Sequence, residues 1–117
     1  MIPIVEVSLE NRLARLDEIA ATEPGWYDGD GETPPAESVA LAREILVTLF
    51  EAGVPTPGIF PGIDRPAVLV EWLTDSVHES WDVGSDGTVE RYGYDANTKL
   101  SKYDVFVWTG VERPILV

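Results

Sequence analysis

The chain has no cysteine, a single histidine and only eight Lys and Arg in 117 residues, against 21 Asp and Glu. Without Cys there are no disulfides, no thiolate metal ligands and no Cys nucleophile, a composition that suits a reducing compartment. The scarcity of cations leaves a formal charge of -13. Release of counterions from phosphates needs clustered positive charge, and no local knot of it is larger than a pair such as Lys99 with Lys102. Direct partnership with nucleic acid or an anionic membrane is therefore not expected. No run approaches the roughly 20 apolar residues of a membrane helix. Met1 to Glu10 lacks the cationic leader and long apolar core of a secretory signal, so a cytoplasmic location is expected.

What is present is enough to fold. Hydrophobic residues make up 44% of the chain, with four Trp, four Tyr and three Phe, which supplies burial to offset chain entropy despite the charge. The length suits one domain, residues 1–117, with a core that needs no staples. The start, with Ile2, Ile4 and Val5 interrupted by Pro3, reads as a short edge strand or a lead-in. Ser8 stands where an N-cap would, and Leu9, Leu13, Leu16 and Ala20 recur at helical spacing until Pro24-Gly25. After a Gly-, Asp- and Pro-rich loop from Trp26 to Pro35, Thr33 is placed to cap a second helix with Pro34 at its first position. That helix runs to about Ala52 before Gly53, with Leu41, Ile45, Leu49 and Ala52 as its stripe, broadened by Ala42, Leu46 and Phe50.

From Val54 to Pro66 the prolines forbid helix and allow a short extended piece around Gly58 to Phe60. Ala67 to Leu73 then reads as a strand with Val68, Val70 and Trp72 on one face. Val77 to Val83 alternates likewise, with Val77, Trp81 and Val83 together and His78, Ser80 and Asp82 outward. Asp86-Gly87 is the strongest turn signal and leads into Thr88 to Tyr94. A polar connection, Asp95 to Lys102, precedes a last strand from Tyr103 to Trp108. Helices first and strands after predict an α+β fold, two N-terminal helices packed on one face of an antiparallel meander of four to five strands.

The segment Asp28-Gly29-Asp30-Gly31-Glu32 invites a calcium reading, because hard cations want several carboxylate oxygens. The spacing refuses it: Thr33 stands where the sixth-position Gly belongs and Val39 where the bidentate Glu belongs. No metal is expected there; the segment is a tight acidic turn. Trp26 and Tyr27 before it are either anchors that pin the loop to the body or an exposed contact point, and packing favours anchors. His78 alone has an ordinary pKa near neutrality. Glu71 and Glu79 would face each other if the turn Thr74 to Ser76 is three residues long, a pair of the sort glycosidases use. Strand parity then sets at least one beside apolar neighbours, so solvated or edge positions are expected. Tyr92, Tyr94 and Trp108 are candidates for an exposed aromatic patch. No nucleophile elbow, phosphate loop or zinc spacing occurs, and no cofactor or catalytic residue is expected.

Two stretches, Gly25-Trp26-Tyr27-Asp28-Gly29-Asp30-Gly31 ahead of a helix and Pro55-Thr56-Pro57-Gly58-Ile59-Phe60-Pro61 ahead of Val68-Leu69-Val70-Glu71-Trp72, are similar to a family of small uncharacterised bacterial and phage proteins. That family has a Gly-Trp-Asp-Gly-like loop, a helix, a Pro-x-Pro approach, a strand ending in Glu-Trp, and an Asp-Gly hairpin, matched by Asp86-Gly87. This chain inserts Tyr27 and lacks a Gly-Gly turn before the Glu-Trp strand. The resemblance, over about Leu16 to Tyr92, implies a compact α+β domain of mobile-element character and carries over no catalytic residue. Joined to the charge, it gives the expectation of a non-enzymatic module that binds a protein with a basic surface, as a phage or mobile-element inhibitor of a nucleic-acid-handling defence protein. The contacts would be Trp26, Tyr27, Asp28, Asp30 and Glu32, and the state a monomer or weak homodimer. An antitoxin or immunity protein against a cationic toxin shares this physics. A small hydrolase using Glu71, Glu79 or His78 is the remaining alternative.

Overall fold

The structure, a computed structural model, describes residues 8–62 and 65–116; the strand or lead-in expected before Ser8 lies outside them. Helix α1 spans Leu9–Ala20, and Ser8 caps it in an extended conformation, its hydroxyl accepting from the Asn11 N–H at 3.1 Å. Its buried residues are Leu16 and Ile19, with Leu9 and Leu13 half-buried. Ala20, expected on the stripe, is exposed. Ile19, three residues beyond Leu16, shares the inner face and supplies the larger side chain.

Helix α2 spans Ala36–Glu51, and Thr33 does not cap it. The Thr33 hydroxyl instead donates to the Thr22 carbonyl at 2.5 Å, tying together the two ends of the intervening loop. Pro34 cannot be the first helical residue because Pro35 follows it, and a residue before proline is pushed out of the α region. The helix accordingly begins after Pro35, which sits extended at the cap. Its end follows the Schellman pattern: Gly53 has φ +80, its N–H reaches Phe50 O at 3.0 Å, and the Val54 N–H reaches Leu49 O at 3.0 Å. Val39, Ala42, Ile45, Leu46 and Leu49 are buried, whereas Phe50 and Ala52 face solvent.

The five strands β1 (Gly58–Pro61), β2 (Val68–Leu73), β3 (Val77–Val83), β4 (Thr88–Asp95) and β5 (Leu100–Val107) form one sheet in sequence order, every neighbour antiparallel. The helices lie on one face, against β1, β2 and β3. That inner face carries Ile59, Val68, Val70, Trp72, Trp81, Val83 and Val89, which close the core with Leu16, Ile19, Ala42, Ile45, Leu46 and Leu49. At the β3–β4 hairpin Asp86 Oδ1 accepts the Thr88 N–H at 3.0 Å and Gly87 takes φ +84. The last strand begins earlier than its composition predicts. Only Ala96 to Lys99 turns the chain, Asp95 Oδ1 accepting the Asn97 N–H at 2.9 Å, and Leu100 pairs at once with Asp95. An edge strand open to water tolerates the polar Ser101 and Lys102 that made this stretch look like a loop.

Adjacent α2 positions give a contrast that tests this packing. Leu49 is 1% exposed and Phe50 48%, so Leu49→Ala is expected to cost about 2–5 kcal/mol in urea unfolding and Phe50→Ala less than about 1.5 kcal/mol. Equal losses would contradict the orientation of α2.

Candidate functional site

The loop between the helices is a small hairpin. Tyr27 and Asp30 exchange both backbone hydrogen bonds at 2.8 Å, with Asp28 (φ +48) and Gly29 (φ +94) at the turn. Two positive φ values suit the type I′ turn, and Asp-Gly is a favoured sequence for it. Outside this isolated bridge the Gly25 N–H makes one further bond, to Gly31 O at 2.8 Å. Trp26 is half-buried, and its indole N–H donates to Glu32 O at 3.0 Å. Its ring lies over Gly31, where an added Cβ would come within 2.7 Å of it and where φ is +89. The anchor is therefore internal to the loop. Tyr27 meets Trp26 edge-on at 5.7 Å and is 50% exposed.

Asp28, Asp30 and Glu32 are all exposed. From Leu16 to Ala42 the chain has seven carboxylates (Asp17, Glu18, Glu23, Asp28, Asp30, Glu32 and Glu37) and no Lys or Arg. Arg43 takes Asp17 at 2.5 Å and Arg15 takes Glu18 at 3.2 Å. Among the described residues the other five have no ion-pair partner, and no group of three His, Asp or Glu is arranged to hold a metal.

The residues of the hydrolase alternative do not converge. The β2–β3 register pairs Leu73 with His78, so Trp72 faces Glu79 and Glu71 faces Ser80. Glu71 and Glu79 thus lie on opposite faces of the sheet rather than opposite each other. The turn closes with the Thr74 N–H on Val77 O at 2.8 Å, leaving an even number of residues between the paired positions instead of the three expected. On the outer face His78 Nε2 lies 2.9 Å from Glu71 Oε2.

Glu79, expected at a solvated or edge position, has no exposed surface. Its carboxylate accepts the Trp81 indole N–H at 2.9 Å, the Ile115 N–H at 2.8 Å and the Leu116 N–H at 2.7 Å. These bonds satisfy a buried anion that would otherwise be costly, and every lone pair they occupy is withdrawn from chemistry. They also hold the C-terminal segment over the part of the inner face that the helices leave uncovered. Gly93, opposite Glu79, makes room: a Cβ there would meet Leu116 Cδ1 at 2.8 Å.

Beside this contact Arg91 lies 4.8 Å from the Phe106 ring centroid, bonds Asp104 through Nε at 2.8 Å and Nη2 at 2.5 Å, and donates from Nη1 to Arg113 O at 2.9 Å. The bond from Arg91 holds the Asp104 carboxyl below the usual carboxylate range, and the same bond raises Arg91. Trp108, proposed for an exposed patch, is half-buried against Trp81 at 6.2 Å. It continues the alternation of Asp104 and Phe106 just past the end of β5, which carries its ring to the inner face with Phe106. Tyr92 and Tyr94 are exposed as expected, and Tyr103, opposite Tyr92, joins them. Compared with known proteins, the chain matches no family model and no solved structure.

Glu79→Gln removes one acceptor oxygen from three donors, and a loss of about 1–3 kcal/mol is expected with faster amide exchange at Ile115 and Leu116. Unchanged exchange there would contradict the latch. The lowered Asp104 carboxyl contributes stability that is complete above its unfolded value of about 3.9 and fades as pH falls through the folded one. Acid unfolding should therefore be shallower in Asp104→Asn than in the wild type over that window, and identical slopes would remove the ion pair from the account.

Proposed function

We propose that the protein is a non-enzymatic binding module whose loop from Trp26 to Glu32 occupies a basic surface on another protein. The supporting observation is the locked form of the loop: a paired backbone bridge, a Trp26 clamp, and carboxylates with no ion-pair partner among the described residues, presented beside a half-exposed Tyr27. A loop already ordered in the free protein has less entropy to lose on binding. Exposed carboxylates raise the rate of encounter with cationic patches. Basic surfaces of this kind are where proteins hold nucleic acid, so the partner class we propose is a nucleic-acid-handling protein. The resemblance implies a mobile-element character, and with it the setting we propose is a host defence protein.

The test is kinetic. The partner is isolated by cross-linking and affinity capture, and its association rate with the purified chain is measured across a range of salt. Asp28→Asn, Asp30→Lys and Glu32→Lys together keep a residue that tolerates positive φ at the turn while removing the negative charge. This triple variant is expected to associate on the order of tenfold slower at low salt and with a flattened salt dependence. An unchanged rate and slope would overturn the proposal.

A further inference from the structure

Among the described residues no helix or strand covers the outer face of the sheet, and it is unusually apolar and aromatic for a solvated surface. Tyr103 is 63% and Val107 64% exposed, with Tyr92, Tyr94 and Val105 beside them. Near the Asp86-Gly87 end of this face Asp82 stands directly opposite Glu90 across β3 and β4. Like charges at paired positions are destabilising, and here a guanidinium bridges them. Arg65 bonds Asp82 Oδ2 from Nε at 2.8 Å and from Nη2 at 2.6 Å, and Nη2 also meets Glu90. The Tyr103 hydroxyl donates to Glu90 Oε1 at 2.9 Å. An open cleft of about 700 Å³ adjoins this point, walled by Phe60, Leu69 and Glu71.

We infer that this face is a second docking surface, and that it takes an extended, arginine-bearing segment of a protein partner whose guanidinium replaces Arg65 between Asp82 and Glu90. Charge complementarity selects the occupant. Among the described residues the face sets Asp82 and Glu90 against the single guanidinium of Arg65, with Glu71 beside His78, on a chain of charge -13. A second copy or a nucleic acid would be repelled by the same field. Tyr92 and Tyr103 offer ring faces on which a guanidinium can stack, and two carboxylates suit its planar fork better than a compact ammonium. Arg65 is 53% exposed at its side chain, so a partner's arginine can reach its seat from solvent. The inference rests on the reading of the protein as a binding module but places the contact on a surface other than the loop.

The probe is a blocked tetra-arginine peptide, titrated by calorimetry and amide chemical shifts against tetra-lysine and tetra-citrulline. Shifts at Ser80, Asp82, Glu90, Tyr92 and Tyr103 are expected with arginine, weaker with lysine and absent with citrulline. Arg65→Ala, which removes the internal competitor, is expected to tighten binding roughly fivefold. Asp82→Asn with Glu90→Gln is expected to weaken it on the order of tenfold, and this pair also relieves the repulsion, so the fold is kept. The loop triple variant is expected to leave the sheet-face shifts in place. Shifts confined to residues 26–32, equal binding of citrulline, or no shifts at all would overturn the inference while leaving the loop to its own rate measurement. Concentration-dependent dimerisation with shifts on this face and no peptide would assign it to a second copy, and would overturn it too.

Discussion

The pairing of Leu73 with His78 decides what every residue of the sheet can do. Successive strand residues point to opposite faces, so a slip of one position would exchange the two faces entirely. With this register Trp81 enters the core between Trp72 and Phe106, at 5.4 and 5.1 Å. Glu79 is carried under the C-terminal segment, and Glu71, His78, Asp82 and Glu90 are left outside. The inner face is then covered twice, by the helices over β1 to β3 and by the C-terminal segment latched to Glu79. The outer face keeps its tyrosines, valines and carboxylates in contact with water.

Much of this order is legible in the chain itself. Alternation in Val68 to Leu73 and Val77 to Val83 gives both strands and their faces, Asp86-Gly87 gives the central hairpin, and Ser8 and Gly53 mark helix boundaries by local chemistry alone. What escaped depends on contacts between distant residues. Glu79 looks like a surface carboxylate until Ile115 and Leu116, 36 and 37 residues away, bring their amides to it. Nothing in the composition after Trp108 announces that segment as a cover. Thr33 has the right type for a cap, but Pro35 displaces the helix start and Thr22 claims the hydroxyl.

The candidate contact residues were legible as a loop, and the structure adds how they are held. The Tyr27–Asp30 bridge and the bond from the Gly25 N–H to Gly31 O, with Trp26 folded over Gly31, turn a flexible composition into a presented shape. The carboxylates of the chain serve several ends. Glu79 and Asp104 are spent on architecture, Asp82 and Glu90 are bridged by Arg65, and Asp28, Asp30 and Glu32 face solvent with no ion-pair partner among the described residues. Net charge alone could not separate these groups, because it counts a latched carboxylate and a presented one alike.

Nuclear Overhauser contacts of the Trp81 indole N–H test the register most directly. The account predicts cross-peaks from this proton to the amides of Ile115 and Leu116, with the His78 ring showing none to the C-terminal segment. Cross-peaks from His78 to Ile115 or Leu116, with the Trp81 indole seeing only water, would invert the two faces and contradict both the latch and the docking surface.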